Sequence, residues 1–543
     1  MIPKEKYMEW LQSPIIGEQQ KKEMKAMSEE EIEGAFLGDL TFGTAGLRGL
    51  MGLGTNRMNI YTVKKAAIAI GQWILEKYPN NTSIVIGYDM RHHSKEFAEE
   101  SARTLSNLGV RVFLFDTIVA TPELSYAIRY LKTSAGIMVT ASHNPRDYNG
   151  YKVYAEKGSQ ILYDDADRIQ QWMSKVPHEA LKTTEGVAWQ TVPKDLLQEY
   201  ENEVMALQTF EISTPKVPFV YSPYNGCAKR AMESIFTKAG FDFIMPEEQI
   251  YPDPDFSTIP YPNPEMEETF AIAKKLAIKT NRNLILANDP DGDRLSAMVW
   301  KGDAFHHLTG NQLGALFTAY LCQQRKDKTK HGVLVKTIVT DDFGATIAKD
   351  YGHRVVETLT GFKNIAEIAH RLDGSEEDFV LGYEESIGYE LTDFVRDKDG
   401  ISAAFLLAEM AEYYAVKEKT LWDILQDLYR RYGFHAENNF SVYFEGLDGK
   451  KRMDQLMETF RNKDIDTLAD RKVLNRVDYS LEKDPFMRTN ALVYTLEGGV
   501  RLAIRPSGTE PKLKFYIYAV DLNHRKAEEE VHSLGEEMKR RAK

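Results

Sequence analysis

Cysteine is scarce in this chain: Cys227 and Cys322 are the only two in 543 residues. Two thiols cannot build a disulfide framework or a cysteine-based zinc site, and they point to reduced thiols in a cytoplasmic protein. Long hydrophobic runs are missing too. No segment approaches 18 uninterrupted apolar residues, so no membrane-spanning helix is expected. The opening MIPKEKYMEWLQSP carries no apolar stretch ahead of a small-residue cleavage site, so no signal peptide is expected either. Positive charge is in deficit, with 68 Lys+Arg against 81 Asp+Glu and a formal charge of −13. General nucleic-acid and anionic-membrane binding both demand basic surface, so neither partner is expected. A phosphorylated ligand would have to be held by a local basic pocket within an acidic body.

What is present is an ordinary globular composition, 43% hydrophobic and 27% charged. At roughly 100–200 residues per domain, the length predicts about three to five domains. Helix and strand signals alternate through the first two hundred residues. A helix is expected over 60–78, a buried strand at SIVIGYD (83–89), a helix capped by Ser94, the strand VRVFLFD, a helix opening at Pro122, and the strand AGIMVTAS (135–142). Such a βαβαβ run implies a largely parallel sheet covered by helices. The pattern restarts at VPFVYS (217–222) and again after Gly310, giving three α/β cycles of similar size. After about 435 the grammar changes: NFSVYFEG, ALVYTLEG, VRLAIRPSG and LKFYIYAV cluster around one helix, and a charged helix closes the chain. The expected architecture is three consecutive α/β domains of related topology (1–210, 211–309 and 310–435) and a C-terminal α+β domain (436–543) with an antiparallel sheet. Four domains would then surround a central cleft.

Five loops carry residues suited to chemistry. In TASHNPRDYNGYK (140–152), Ser142 sits where ligands bind in open α/β sheets, at the carboxyl end of a strand. Two turns present its hydroxyl, and His143, Arg146 and Lys152 add donors suited to phosphate. In NDPDGDR (288–294), Asp289, Asp291 and Asp293 alternate after a strand and converge on one hard cation. An EF-hand is excluded, because Arg294 stands where it needs glycine and Trp300 where it needs glutamate. Three carboxylates leave room for a phosphate oxygen, which suits Mg²⁺, and Arg294 is placed for the same phosphate. GYEESIGYELTDFVRDKDG (382–400) offers Glu384, Glu385 and Ser386 to sugar hydroxyls, with Arg396 and Lys398 nearby. RPSGTEPK (505–512) brings Arg505, Ser507, Gly508, Thr509 and Lys512 between two strands, the composition of a phosphate cradle and equally of a β-turn with incidental basic residues. In FGTAGLRG (42–49), glycines permit a close backbone beside Thr44 and Arg48, without a Walker lysine or dinucleotide spacing.

In combination, TASHNP, DPDGDR and RPSGTEP resemble the α-D-phosphohexomutases, the phosphoglucomutase/phosphomannomutase family, over nearly the whole chain. The resemblance implies that Ser142 is the phosphoserine and that Mg²⁺ is held by Asp289, Asp291, Asp293 and the seryl phosphate. It implies sugar binding by Glu384 and Ser386, a phosphate site at Arg505, Ser507, Gly508 and Thr509, and a further contact from Thr360 in LTGFK. Lys398 in VRDKDG matches the family's general acid/base lysine, and His143 and Lys152 follow the active serine as they do there. Tyr383 gives GYEES where many members read G-E-E-S or G-E-M-S, which looks like the branch that includes phosphopentomutases.

The function implied is a phosphoglucomutase interconverting glucose 1- and 6-phosphates, an isomerase-class phosphotransfer with glucose 1,6-bisphosphate as activator and intermediate. Phosphomannomutase and phosphopentomutase are alternatives with the same mechanism. A haloacid-dehalogenase-type phosphatase is a competing reading of LILANDPDGD, with its first aspartate as nucleophile. A non-catalytic sugar-phosphate binder is another. The partners expected are small sugar phosphates; monomer and dimer are both open.

Overall fold

A computed structural model describes residues 2–43, 46–182, 188–324, 331–444, 448–462, 465–507 and 512–542. The chain forms two compact units. The first holds the residues up to Leu308 together with Ala369–Arg371 and Gly388–Val416, and the second holds Thr309–Ile368, Leu372–Ile387 and the chain from Lys417 onward.

In the first unit a six-stranded sheet runs in the order Leu47–Leu50, Tyr148–Ala155, Ala135–Val139, Ser83–Tyr88, Arg111–Leu114, Gln190–Thr191. Every residue of Ser83–Tyr88 is buried, as a central strand covered on both faces requires. The strands at 83–88, 111–114 and 135–139 pair in parallel, as the sequence pattern predicts, and a short strand at 190–191, not expected from the sequence, joins them in parallel. Tyr148–Ala155 and Leu47–Leu50 do not; they pair antiparallel. The connection Thr140–Asp147 is shorter than the dozen or so residues that a parallel crossover needs, so the chain can only double back. Helix Ile60–Lys77 starts where Asn59 Oδ1 accepts from the backbone N–H groups of Tyr61 and Thr62. Its buried face, from Val63 through Ile70 to Ile74, packs in the core with Trp73. Trimming one such large side chain to alanine would cost about 2–5 kcal/mol. Ser94 does not cap the next helix. His93, in a left-handed conformation, occupies the cap position, and Ser94 Oγ donates to Asp89 Oδ1 at 2.6 Å, a buried carboxylate being the stronger acceptor.

The second sheet of this unit runs Phe305–Leu308, Leu295–Trp300, Leu284–Asn288, Phe219–Ser222, Phe243–Ile244. It repeats the logic of the first. The strands at 219–222, 243–244 and 284–288 are parallel, and 295–300 returns antiparallel after a tight loop. In the second unit, Arg354–Thr358, His331–Thr337 and Glu377–Glu384 pair in parallel in the same relative order. In all three sheets the loop after the third parallel strand carries the residues singled out from sequence: Ser142, the three aspartates, and Glu385–Ser386. That recurrence supports three domains of related topology.

The C-terminal sheet is antiparallel throughout, in the order Phe434–Tyr443, Lys512–Asp521, Arg501–Pro506, Leu492–Leu496, Arg471–Asp478, Thr467–Leu468. Six strands replace the four expected. RKVLNRVD (471–478) is a charged, half-exposed strand with too few apolar residues to mark a face in the sequence. Helices Gly449–Asn462 and His524–Arg541 contribute Met453, Met457, Phe460, Val531, Leu534 and Met538 to the core beside the sheet. Cys227 and Cys322 are both buried. No helix among the described residues is long and apolar enough to cross a membrane.

Candidate functional site

The buried strand Ala135–Val139 delivers the chain to Ser142, which sits in the left-handed region at φ 54°. For a residue with a Cβ this conformation is sparsely populated and must be held by its surroundings. The backbone N–H of Ser142 donates to Thr140 Oγ1 at 2.9 Å. The hydroxyl donates to Asp289 Oδ2 at 3.0 Å, with His143 Nδ1 3.3 Å away. Burial, reinforced by Arg294 and Arg48, pushes the His143 imidazole well below the ordinary histidine value, so it is neutral at pH 7.

Asp289 opens the loop after Leu284–Asn288, and Gly292 turns it at φ 69°. Ligand atoms of Asp289, Asp291 and Asp293 all lie within 4.8 Å of one another, and all three residues are buried. Asp289 Oδ1 accepts the backbone N–H of Arg294 at 2.9 Å. Asp291 Oδ2 accepts from Thr121 Oγ1 and from Lys152 Nζ, both at 2.8 Å. Asp293 Oδ2 meets Lys152 Nζ and Lys398 Nζ, each at 3.1 Å. The Oδ1 atoms of Asp291 and Asp293 are buried with no hydrogen-bond partner. Orphaned carboxylate oxygens are costly unless something else binds them. Three converging hard oxygen donors, two with free lone pairs, suit a metal ion. The charges sort accordingly. Burial and the two neighbouring carboxylates raise Asp289 well above the usual range. Burial works the same way on Asp293, but Lys152, Lys398 and Arg294 outweigh it and hold that carboxylate below the usual range.

Lys398 reaches the triad because backbones meet closely behind it. A Cβ on Gly400 would lie 2.4 Å from the Arg294 carbonyl oxygen, so only glycine fits. Asn288 Nδ2 donates to the carbonyls of Arg294 and Gly400 at 2.6 and 2.9 Å and ties the two segments together. Asp399 caps helix Gly400–Ala415 through the N–H groups of Ile401 and Ser402. Lys398 Nζ then lies 3.0 Å from Asp397 Oδ1, while Asp397 Oδ2 accepts from Tyr154 and Gln160, both at 2.9 Å. Burial beside Asp397 pushes the Tyr154 phenol well above its usual value, so it stays a donor. Arg48, on Leu47–Leu50, donates to Asn144 Oδ1 at 3.0 Å, and Arg294 Nη1 reaches Glu265 at 2.5 Å.

Of the residues singled out from sequence, Ser142, His143, Lys152, Asp289, Asp291, Asp293 and Lys398 thus lie in one contact network, with Arg48 and Arg294 at its margin. The sequence reading missed Thr121, Thr140, Tyr154, Gln160 and Asp397. Asp397 sits in a charged loop beside Lys398, and its spacing was the one available signal; the other four look like ordinary core or surface residues.

The second unit holds the rest. Glu384 ends its strand buried and accepts the backbone N–H of Gly361 at 2.7 Å, which places Thr360 beside it. The Thr360 hydroxyl is buried without a hydrogen-bond partner. Burial, then Glu384, raises the neighbouring Glu385 carboxyl to about 7. Ser386 is half-buried. Arg505 pairs across the sheet with Lys514, and the Ser507 N–H donates to the Lys512 carbonyl at 2.9 Å; both Arg505 and Ser507 are half-exposed. Thr44, Gly508 and Thr509 lie outside the described residues.

Models of phosphoglucomutase/phosphomannomutase domains match the chain in order. Domain I, of alpha/beta/alpha type, matches residues 39–179, and domain II matches 198–302. Domain III matches 309–432 and the C-terminal domain 459–532. A phosphoglucomutase of Staphylococcus aureus (strain MRSA252) is 36% identical over 509 residues, covering 90% of this chain and 91% of its own. One of Staphylococcus haemolyticus (strain JCSC1435) is 36% identical over 504 residues, covering 89% and 91%. Among solved structures, the phosphoglucomutase parafusin of Paramecium superposes with a TM-score of 0.71 at 19% identity, over 93% of this chain and 95% of that one. With four domains matched in sequence and relatives aligned along most of its length, the chain belongs to the phosphoglucomutase/phosphomannomutase family of isomerase-class enzymes.

Proposed function

We propose that this chain interconverts glucose 1-phosphate and glucose 6-phosphate through a phosphoserine at Ser142 and a bisphosphorylated sugar. The observation that carries this reading is the Ser142 hydroxyl 3.0 Å from Asp289 in a network with two further buried aspartates that keep unpartnered oxygens. Asp289, Asp291, Asp293 and the seryl phosphate hold Mg²⁺ in this reading. When bound, the cation neutralises charge on the transferring phosphoryl oxygens.

The chain's own groups do the rest. The phosphoryl group leaves Ser142 Oγ as its P–O bond breaks and a new P–O bond forms to a sugar hydroxyl. The hydroxyl proton goes to a base, for which the neutral imidazole of His143 and the unprotonated amine of Lys398 are the candidates, and a proton is delivered to Ser142 Oγ as it leaves. Lys152, against the carboxylates of Asp291 and Asp293, holds positive charge where phosphate oxygens arrive. Arg48 and Arg294 stand at the margin for the same purpose. After the bisphosphate turns over, its other phosphoryl group returns to Ser142, so atoms balance over the cycle. Glu384 and Ser386 are assigned to the sugar hydroxyls, Thr360 to a further substrate contact, and Arg505, Ser507, Gly508 and Thr509 to a phosphate. Glucose 1,6-bisphosphate is the expected activator, because it re-phosphorylates Ser142 after any loss.

A coupled assay with glucose 1-phosphate, Mg²⁺ and a trace of glucose 1,6-bisphosphate should yield glucose 6-phosphate. Running mannose and pentose 1-phosphates alongside should give glucose the highest kcat/KM. No glucose 6-phosphate from protein carrying phosphate on Ser142 would overturn the reading.

A further inference from the structure

One buried guanidinium outside the network described above grips the whole Ser142 loop. Arg91 is 3% exposed, and it lies just beyond the strand Ser83–Tyr88. Its Nη2 donates to the carbonyl oxygens of Ser142 at 2.5 Å and Asn144 at 2.6 Å. Its Nη1 donates to the carbonyls of Pro145 at 2.8 Å and Tyr148 at 3.1 Å. Four carbonyls of one turn thus converge on one planar cation, a match to the fork of a guanidinium that an ammonium cannot reproduce. The charge is balanced from behind: Arg91 Nε lies 3.3 Å from Asp89 Oδ2, and the Arg91 N–H donates to Asp89 Oδ1 at 3.0 Å. Asp89 also accepts from Ser94 Oγ and Thr140, and Thr140 in turn accepts the N–H of Ser142.

The open face of the guanidinium is covered by Phe256, from the proline-rich loop that follows Phe243–Ile244, with the Arg91 Cζ 4.8 Å from the ring centroid. Phe256 is itself buried and left-handed, at φ 47°. A bulky residue with positive φ is a genuine outlier and persists only where the surroundings over-determine it. Two strained residues, Ser142 and Phe256, therefore meet on the two sides of Arg91. Neighbouring contacts reinforce the arrangement: Asp255 pairs with His92 at 3.1 Å and Arg146 at 3.6 Å.

Resting on the phosphoserine reading above, we infer that Arg91, clamped by Asp89 and Phe256, is the positioning residue that holds Ser142 in its left-handed conformation and so aims its Oγ at Asp289. The hydrogen bonds of the Arg91 side chain go to carbonyls of the serine loop and its ion pair to Asp89, not to the three aspartates. Its removal therefore misplaces the reacting oxygen and leaves the three aspartates in place. A misplacement of about 1 Å at a reacting atom costs on the order of 10²-fold in rate.

The test is single-turnover discharge. Wild-type protein and the variants Arg91→Lys and Phe256→Leu are phosphorylated with glucose 1,6-bisphosphate. The phosphate on Ser142 is quantified by peptide mass, and its transfer to glucose 1-phosphate is timed. Arg91→Lys should discharge about 10²-fold more slowly with KM within about threefold, and Phe256→Leu about tenfold more slowly. Mn²⁺ affinity of the dephosphorylated protein, which a general collapse of the fold would abolish, should stay within about threefold. Discharge of Arg91→Lys within threefold of wild type overturns the inference. If Arg91→Lys fails to fold, Phe256→Leu decides alone, and a wild-type rate for it overturns the inference equally. A wild-type protein that never carries phosphate on Ser142 overturns the phosphoserine reading itself, and the inference with it; the wild-type control thus separates the two failures.

Discussion

Ser142, the three aspartates, Lys152 and Lys398 are buried and held from several sides, whereas Arg505 and Ser507 stand half-exposed at the end of the strand Arg501–Pro506. Both regions are proposed to handle phosphate, yet they are built differently. Phosphoryl transfer needs atoms fixed to a fraction of an ångström, and the serine loop meets that need with a left-handed serine, four carbonyls on one guanidinium and carboxylates locked by two lysines. Gripping a phosphate that is not reacting needs donors that are open to arrival and departure, and rigidity there would slow exchange. The difference predicts that changes in the buried region act on rate and metal, and changes in the exposed region on substrate affinity.

The largest effect is expected at the nucleophile. Ser142→Ala should lower turnover by at least about 10⁴-fold, measured in the coupled assay, because no other group replaces the hydroxyl. Residual activity within tenfold would break the comparison at its strongest point. Next comes the metal: Asp291→Asn or Asp293→Asn should weaken Mn²⁺ binding, followed by calorimetry, by more than about 10²-fold, since each removes a charged ligand from a hard-oxygen set. On the exposed side, Arg505→Ala should raise KM for glucose 1-phosphate by about 10–100-fold with kcat within about fivefold. A collapse of kcat with KM unchanged would place Arg505 with the rate-setting groups. The smallest effect concerns burial away from the reacting atoms. His370, hydrogen-bonded to Ser159 Oγ at 3.1 Å, has its pKa lowered from 6.5 to about 3 by burial and by nearby Arg396, Lys157 and Arg129. The unfolded chain therefore binds that proton first. The contribution of His370 to stability is complete above about pH 6.5 and is lost as pH falls toward 3. His370→Gln should flatten the acid side of the Tm-against-pH curve, by about 2–4 °C across that window.

The same contrast decides what could be read from the amino-acid sequence. Buried parallel strands announce themselves as apolar runs, so SIVIGYD, AGIMVTAS and LILAND each led to a strand, and the last two to the loop beyond it. Exposed or short strands do not: RKVLNRVD shows charge on both faces, and the antiparallel return of Tyr148–Ala155 was set by loop length rather than by any local pattern. Ser94 looked like a cap because caps are read from residue type, while the nearby Asp89 claimed its hydroxyl from five residues away. At the candidate site, charged loop residues were legible because repelling aspartates need a reason to be together. Arg91, Thr121 and Tyr154 were not, since their partners lie across the fold and nothing in their neighbours marks them.

The most direct test of the account is to find which atom carries phosphate. Protein incubated with glucose 1,6-bisphosphate and Mg²⁺, quenched and mapped by peptide mass, should bear one phosphate on Ser142, stable to neutral hydroxylamine and discharged by added glucose 1-phosphate. Hydroxylamine-labile phosphate on Asp289, with Ser142 unmodified, would contradict it and make the aspartate the nucleophile.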